Sequence, residues 1–180
     1  MEKKSKIFKM AFIGIMSAVI CLLGPLSLPV GVVPISLTNL AIYFVLYALG
    51  MKKGTVSYII YMLTGFAGVP VFSGFTGGPA KLLGPTGGYL VGFIFMALIA
   101  GAFIDKFIAK RYLCIIGMVF GASICYLFGT VWLSYQADMS IGAAFAAGVF
   151  PFIPGDLIKI LIAAYLGPKI RNQLIKAKLF

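Results

Sequence analysis

Apolar segments dominate this chain and leave little material for a water-exposed surface. Six mostly apolar stretches follow one another, separated by short connections rich in glycine, proline or lysine. Charged residues make up 11% of the sequence, whereas a soluble domain carries roughly a quarter. We therefore expect an integral membrane protein, which excludes a cytosolic enzyme, a secreted disulfide scaffold and a disordered tail.

The length limits the number of membrane spans. A helix needs about 20 predominantly apolar residues to cross the hydrocarbon core of a bilayer, so this chain holds about four to six spans with short loops. We predict an all-α integral membrane protein, with one transmembrane domain over residues 1–180 that forms a compact bundle of six helices. The predicted spans are residues 7–23, 37–50, 56–68, 85–104, 113–133 and 155–166.

The basic residues predict the orientation of these spans. With six spans, 13 of the 15 Lys and Arg residues fall on the side of the two termini, and the exceptions are Lys81 and Lys159. Because cytoplasmic loops carry the excess of Lys and Arg, both termini are predicted to be cytoplasmic. The same bias accounts for the net charge of +11, so we expect the lipid bilayer and no nucleic acid as a partner.

The residue types that metal and acid–base chemistry require are scarce. The chain has no histidine, and its three cysteines lie in apolar runs, which argues against a metal site. It also lacks a G-x-x-x-x-G-K-[ST] motif, so it cannot hydrolyse ATP through a phosphate-binding loop. We predict no catalytic residue, no metal, no cofactor and no enzymatic activity.

Apart from Lys9 at the start of the first span, Asp156 and Lys159 are the charged residues that fall within the predicted spans. A spacing of three places both side chains on one face of a helix, and a charged group within a membrane span indicates a functional site. We expect this pair to form the polar floor of an outward-facing ligand site. The alternative is that Asp156 caps its helix and pairs with Lys159 for structural reasons alone.

Residues 69–84 form a connection of 16 residues that is rich in Gly and Pro. Long loops of this kind often serve as lids over binding sites. Gly77 and Gly78 permit a close approach of the backbone to a ligand, and Phe72 and Phe75 offer apolar cover. We predict a lid on the same side of the membrane as Asp156, the alternative being a plain connecting loop.

Small residues predict close helix contacts at two places. Ala11, Gly14 and Ala18 make a small face on the first span, which serves either internal packing or the docking of a partner. The glycines of GPTGGYLVGF, residues 84–93, favour close packing of the fourth span on a neighbouring helix.

Four motifs together resemble the BioY family, the biotin-specific S components of energy-coupling factor (ECF) transporters. They are VPISL (33–37), YMLTGFAGVPVF (61–72), GPTGGYLVGF (84–93) and PGDLIK (154–159). The resemblance runs from about residue 7 to residue 170. One position departs from the family pattern, because Thr38 stands where family members usually carry Gln.

The resemblance implies what the chain does and what it assembles with. It implies a multi-pass protein of the prokaryotic cell (plasma) membrane that captures biotin at the outer face. The partners would be an ECF transmembrane coupling subunit and two ATPase subunits, with docking at Ala11, Gly14 and Ala18. Asp156 and Lys159 carry over as biotin-binding residues, although Lys159 can meet either the carboxylate or the ureido oxygen. The alternatives are a self-sufficient carrier of small molecules and an S component for another vitamin.

Overall fold

The computed structural model describes residues 2–29 and 32–177. Helices dominate these residues, and the elements in chain order are α1 (Glu2–Leu23), β1 (Ser27–Leu28), β2 (Ile35–Ser36), α2 (Thr38–Phe66), α3 (Pro79–Leu83), α4 (Gly87–Phe107), α5 (Arg111–Gln136), α6 (Ile141–Gly148) and α7 (Ile153–Lys176). The predicted domain also takes in residues 1, 30–31 and 178–180, which lie outside the described residues.

Several helices have the length and apolar character of membrane spans. Among the described residues, α4 and α5 each qualify alone, and α6 and α7 qualify as one further span if they are taken together across their 50° bend. The prediction of a largely helical membrane protein is thereby confirmed. The six-span count and the cytoplasmic termini stay predictions.

The chain reverses direction within α2, at Gly50. Gly50 has φ 76° and ψ 175°, which lie outside helical values and interrupt the helix; glycine adopts a positive φ without the strain that a Cβ would add. The two ends of α2 meet again at Gly24. The Thr38 hydroxyl donates to the Gly24 carbonyl at 3.5 Å, and the Tyr61 hydroxyl lies 2.7 Å from the point where a Cβ on Gly24 would stand. The two arms of α2 correspond to the predicted spans 37–50 and 56–68, which no separate loop divides.

Glycines bring α4 and α5 close together, as the sequence predicts. A Cβ on Gly92 would lie 3.0 Å from the Cα of Cys125, and a Cβ on Gly88 would overlap the side chain of Trp132. The absence of side chains at these two positions lets the helix backbones approach each other. This fixes the relative position of two helices that contribute to the cavity described below.

Two connections contain more structure than the sequence suggests. The segment between α1 and α2 includes a small antiparallel ribbon in which Ser27 pairs with Ser36 and Leu28 with Ile35. Within the predicted loop 69–84, α3 forms one short helix, and Phe72 and Thr76 form an isolated bridge. Both segments lie at the end of the bundle that holds the cavity.

Candidate functional site

A narrow cavity lies at one end of the bundle, between the ribbon and helices α2, α4, α5 and α7. The space between its atoms, the open mouth included, is about 610 Å³. Its walls combine apolar and aromatic side chains with a few polar groups: Val33, Pro34, Ser36, Thr38, Asn39, Tyr61, Ser73, Thr86, Tyr89, Leu90, Phe93, Cys125, Tyr126, Phe152, Asp156 and Lys159. Apolar walls with a small number of convergent polar groups are typical of small-molecule sites.

Asp156 lines this cavity from the first turn of α7, which begins at the end of the bundle that holds the cavity. Helix α7 starts at Ile153, with Pro154 in its first turn, a position that proline favours. The backbone N–H of Asp156 donates to the Phe152 carbonyl at 2.8 Å, and no side chain among the described residues caps this helix. The predicted cap is therefore wrong for Asp156, whose carboxylate has other partners, while pairing with Lys159 for structural reasons alone stays an alternative.

Asp156 and Lys159 form a buried ion pair on the shared helix face that their spacing predicts. The Lys159 Nζ donates to Asp156 Oδ1 at 2.9 Å, and each residue is 8% exposed. The Tyr126 hydroxyl donates to the second oxygen, Asp156 Oδ2, at 2.6 Å. Lys159 also donates to the Ser36 carbonyl at 2.7 Å, which ties the end of β2 to α7. Burial of a charge requires such pairing and hydrogen bonding, and both charges have it.

The pair retains hydrogen-bonding capacity toward a ligand. A carboxylate offers about four lone-pair directions, and an ammonium group has three N–H donors. The contacts above use two lone-pair directions of Asp156 and two donors of Lys159. Thr86 adds a further polar group, because its buried hydroxyl has no hydrogen-bond partner within the described part of the chain. The site can therefore accept from N–H donors at Asp156 and donate to oxygen acceptors at Lys159 and Thr86.

The predicted lid residues lie beside the cavity and do not line it in this structure. Phe72 is fully buried and packs edge-on against Tyr61, with ring centroids 5.6 Å apart. Phe75 is 66% exposed. Gly77 packs so closely on Val69 that a Cβ would overlap it. These positions are compatible with a lid, but contact with a ligand stays a prediction.

Backbone contacts tie the loop 69–84 to neighbouring elements. Gly78 donates its N–H to the Gly65 carbonyl of α2 at 2.7 Å, and Gly74 donates to the Pro25 carbonyl at 3.0 Å. Ser73, next to Gly74, is the residue of this loop that lines the cavity. The contact between Gly74 and Pro25 therefore joins the loop to the start of the ribbon segment beside the cavity.

The small face of α1 points away from the bundle. Ala11, Gly14 and Ala18 are exposed, and a Cβ added at Gly14 would meet nothing within 4 Å. The opposite face of α1 is buried, and there the Ser57 hydroxyl of α2 donates to the Ile13 carbonyl at 3.2 Å. The small face is thus not used for packing within the described residues.

Asp105 makes tertiary contacts at the other end of the bundle. Its carboxylate pairs with Arg171 of α7 at 3.2 Å and accepts from the backbone N–H of Met51 at 2.8 Å. Met51 directly follows the break at Gly50, so Asp105 caps the second arm of α2 and links it to α4 and α7.

Tyr126 is the main site residue that sequence reasoning missed. It stands among apolar residues of a predicted span, where tyrosine is not unusual, and its partner Asp156 is 30 positions away. Ser36 was part of a motif, but its role comes from its carbonyl group, which any residue possesses. Thr38, the departure from the family pattern, is 2% exposed and lines the cavity.

Comparisons with known proteins agree with the motifs. A sequence profile of the BioY family matches residues 1–176. The biotin transporter BioY of Thermotoga maritima is 37% identical over 88% of this chain and 93% of the relative. Biotin transporter BioY2 of Lactococcus lactis is 31% identical over 92% of this chain and 91% of the relative.

A solved structure has the same fold. The S-component for biotin from an ECF-type ABC transporter superposes with a TM-score of 0.86 at 30% identity, and the match covers 96% of this chain and 95% of that one. The fold, the profile and the relatives together show that this chain belongs to the BioY family.

Proposed function

We propose that this chain is the substrate-binding membrane subunit of a vitamin transporter, that it captures biotin, and that it is not an enzyme. The observation that carries the proposal is the buried pair of Asp156 and Lys159 in the wall of the cavity. The BioY relatives and the solved S-component, which is named for biotin, support the identity of the ligand.

The chemistry of biotin matches the groups in the cavity. The ureido ring has two N–H donors and one carbonyl acceptor, and the thioether ring and side chain are apolar up to a terminal carboxylate. Asp156 can accept from a ureido N–H, while the free donor of Lys159 meets the ureido oxygen or the carboxylate. Leu90, Phe93 and Phe152 supply apolar surface for the rest of the molecule.

The proposal gives the loop 69–84 the role of a lid. Ser73 lines the cavity, and a single backbone hydrogen bond joins Gly74 to Pro25, so a small movement of this tip would widen the entrance. Contacts of Phe72, Phe75, Gly77 or Gly78 with biotin require a rearrangement of the loop when the ligand binds.

The membrane arrangement is part of the same proposal. Six spans follow if the two arms of α2 cross separately and α6 with α7 crosses once. Both termini then lie on the cytoplasmic side of the plasma membrane, and the cavity faces outward. The chain would deliver biotin inward when it is coupled to an ECF transmembrane subunit and two ATPase subunits. The exposure of Ala11, Gly14 and Ala18 supports this face as the docking surface.

Calorimetric titration of the purified chain tests the ligand. Biotin should bind one-to-one without ATP, and thiamine and riboflavin should give no heat. Binding of thiamine or riboflavin in place of biotin would contradict the proposal. Biotin uptake by cells that express this chain with and without an ECF module separates a coupled subunit from a self-sufficient carrier.

A further inference from the structure

Tyr126 and Asp156 stand between two cavities of the molecule. On one side lies the narrow cavity that also contains Lys159. On the other side lies a groove between α5, α6 and α7, which is lined mainly by apolar residues and also by Ser123 and Thr130. Tyr126 and Asp156 line both spaces, so together they form part of the wall between them.

The Tyr126 hydroxyl restrains the orientation of the Asp156 carboxylate in this wall. Lys159 occupies Oδ1 from the same helix, and Tyr126 occupies Oδ2 from α5 at 2.6 Å. A carboxylate held by a single donor can turn about its Cβ–Cγ bond. Two donors from two different helices fix the plane of the carboxylate and direct its remaining lone pairs.

We infer that Tyr126 is a positioning residue, which holds the Asp156 carboxylate in the orientation that receives the ligand's N–H donor. This inference rests on the proposed function. Tyr126 also provides the one charge-assisted hydrogen bond that α5 contributes to the pair among the described residues. Hydrogen bonds to charged groups are roughly twice as strong as neutral ones. The contact can therefore restrain α5 relative to α7 and fix the orientation of the Asp156 carboxylate.

A double-mutant cycle distinguishes positioning from direct contact. Tyr126→Phe removes one oxygen and retains the ring that lines the cavity. We expect it to weaken biotin binding by about tenfold, the factor that corresponds to about 1.4 kcal/mol. In the Asp156→Asn background the same change should alter biotin affinity by less than about twofold. The reason is that the effects of two substitutions on the binding free energy do not add when one residue acts through the other.

Tyr58→Phe is the matched control. Tyr58 is fully buried, whereas Tyr126 is half-buried. Tyr58 also donates its hydroxyl at 2.6 Å, but to the Leu90 backbone carbonyl, and it does not line the cavity. The Tyr58→Phe variant should bind biotin with the affinity of the unmodified chain. The inference would be overturned if Tyr126→Phe weakened biotin binding equally in the unmodified chain and in the Asp156→Asn variant, or if it weakened binding in neither.

Infrared spectroscopy gives a readout that does not depend on the ligand. The carboxylate stretching band that disappears in Asp156→Asn should shift in Tyr126→Phe and remain unchanged in Tyr58→Phe. If the band does not shift, Tyr126 does not hold Asp156 and the inference fails even if biotin binds. If the band shifts but the unmodified chain binds no biotin, the proposed function fails and so does the role of this contact in receiving biotin.

Discussion

Asp156→Asn is the most informative single change, because it keeps the shape of the side chain and removes its charge. In the structure Lys159 donates to one carboxylate oxygen and Tyr126 to the other. An Asn side chain offers one oxygen and one NH₂ group, so one of these two donors would face another donor. Lys159, 8% exposed, would also lose its counter-charge.

The size of the effect follows from this geometry. Loss of one partner of a buried, hydrogen-bonded charge pair at a binding site costs on the order of 2–5 kcal/mol. Since about 1.4 kcal/mol corresponds to a tenfold change, biotin affinity should fall at least about thirtyfold. Lys159→Met keeps the apolar stem and removes the ammonium group, so we expect a loss of similar size.

The assay is calorimetric biotin binding by folded, monodisperse protein. Asp138→Asn is the matched control, because Asp138 is exposed, lies outside the cavity lining, and has φ 52°, a conformation that Asn tolerates well. The control should bind biotin normally. Affinity of Asp156→Asn within about threefold of the unmodified chain would refute the role of the carboxylate charge.

Three further predictions concern other parts of the molecule. Ala18→Trp should reduce biotin uptake with an ECF module and leave binding to the purified chain unchanged; lost binding would instead indicate internal packing. Asp105→Ala should lower the free energy of unfolding by roughly 0.5–2 kcal/mol in thermal or denaturant unfolding, because the helix arm that begins at Met51 loses its cap, and unchanged stability would contradict this. Amides in residues 69–84 should exchange hydrogen more slowly when biotin is bound, and equal exchange rates would exclude the lid.

The membrane class and the charged pair were predictable because both depend on local sequence. Charged side chains are so rare here that their positions stand out, and a helix fixes the separation of residues three apart regardless of its surroundings. Asp156 and Lys159 could therefore be paired from their spacing alone. The glycines that bring α4 against α5 were predictable for a similar reason, since small residues in spans indicate close contacts.

The sequence by itself determined the kind of protein, the family and the local pair at the start of α7. The tertiary structure decided which distant groups surround that pair: Tyr126 lies 30 residues from Asp156, and the Ser36 carbonyl lies 123 residues from Lys159. It also decided that Asp105 pairs with Arg171, 66 residues away, and that α2 reverses at Gly50 without a loop. Contacts within one helix follow from its fixed geometry, whereas contacts between helices depend on how their surfaces pack, which no short stretch of sequence encodes.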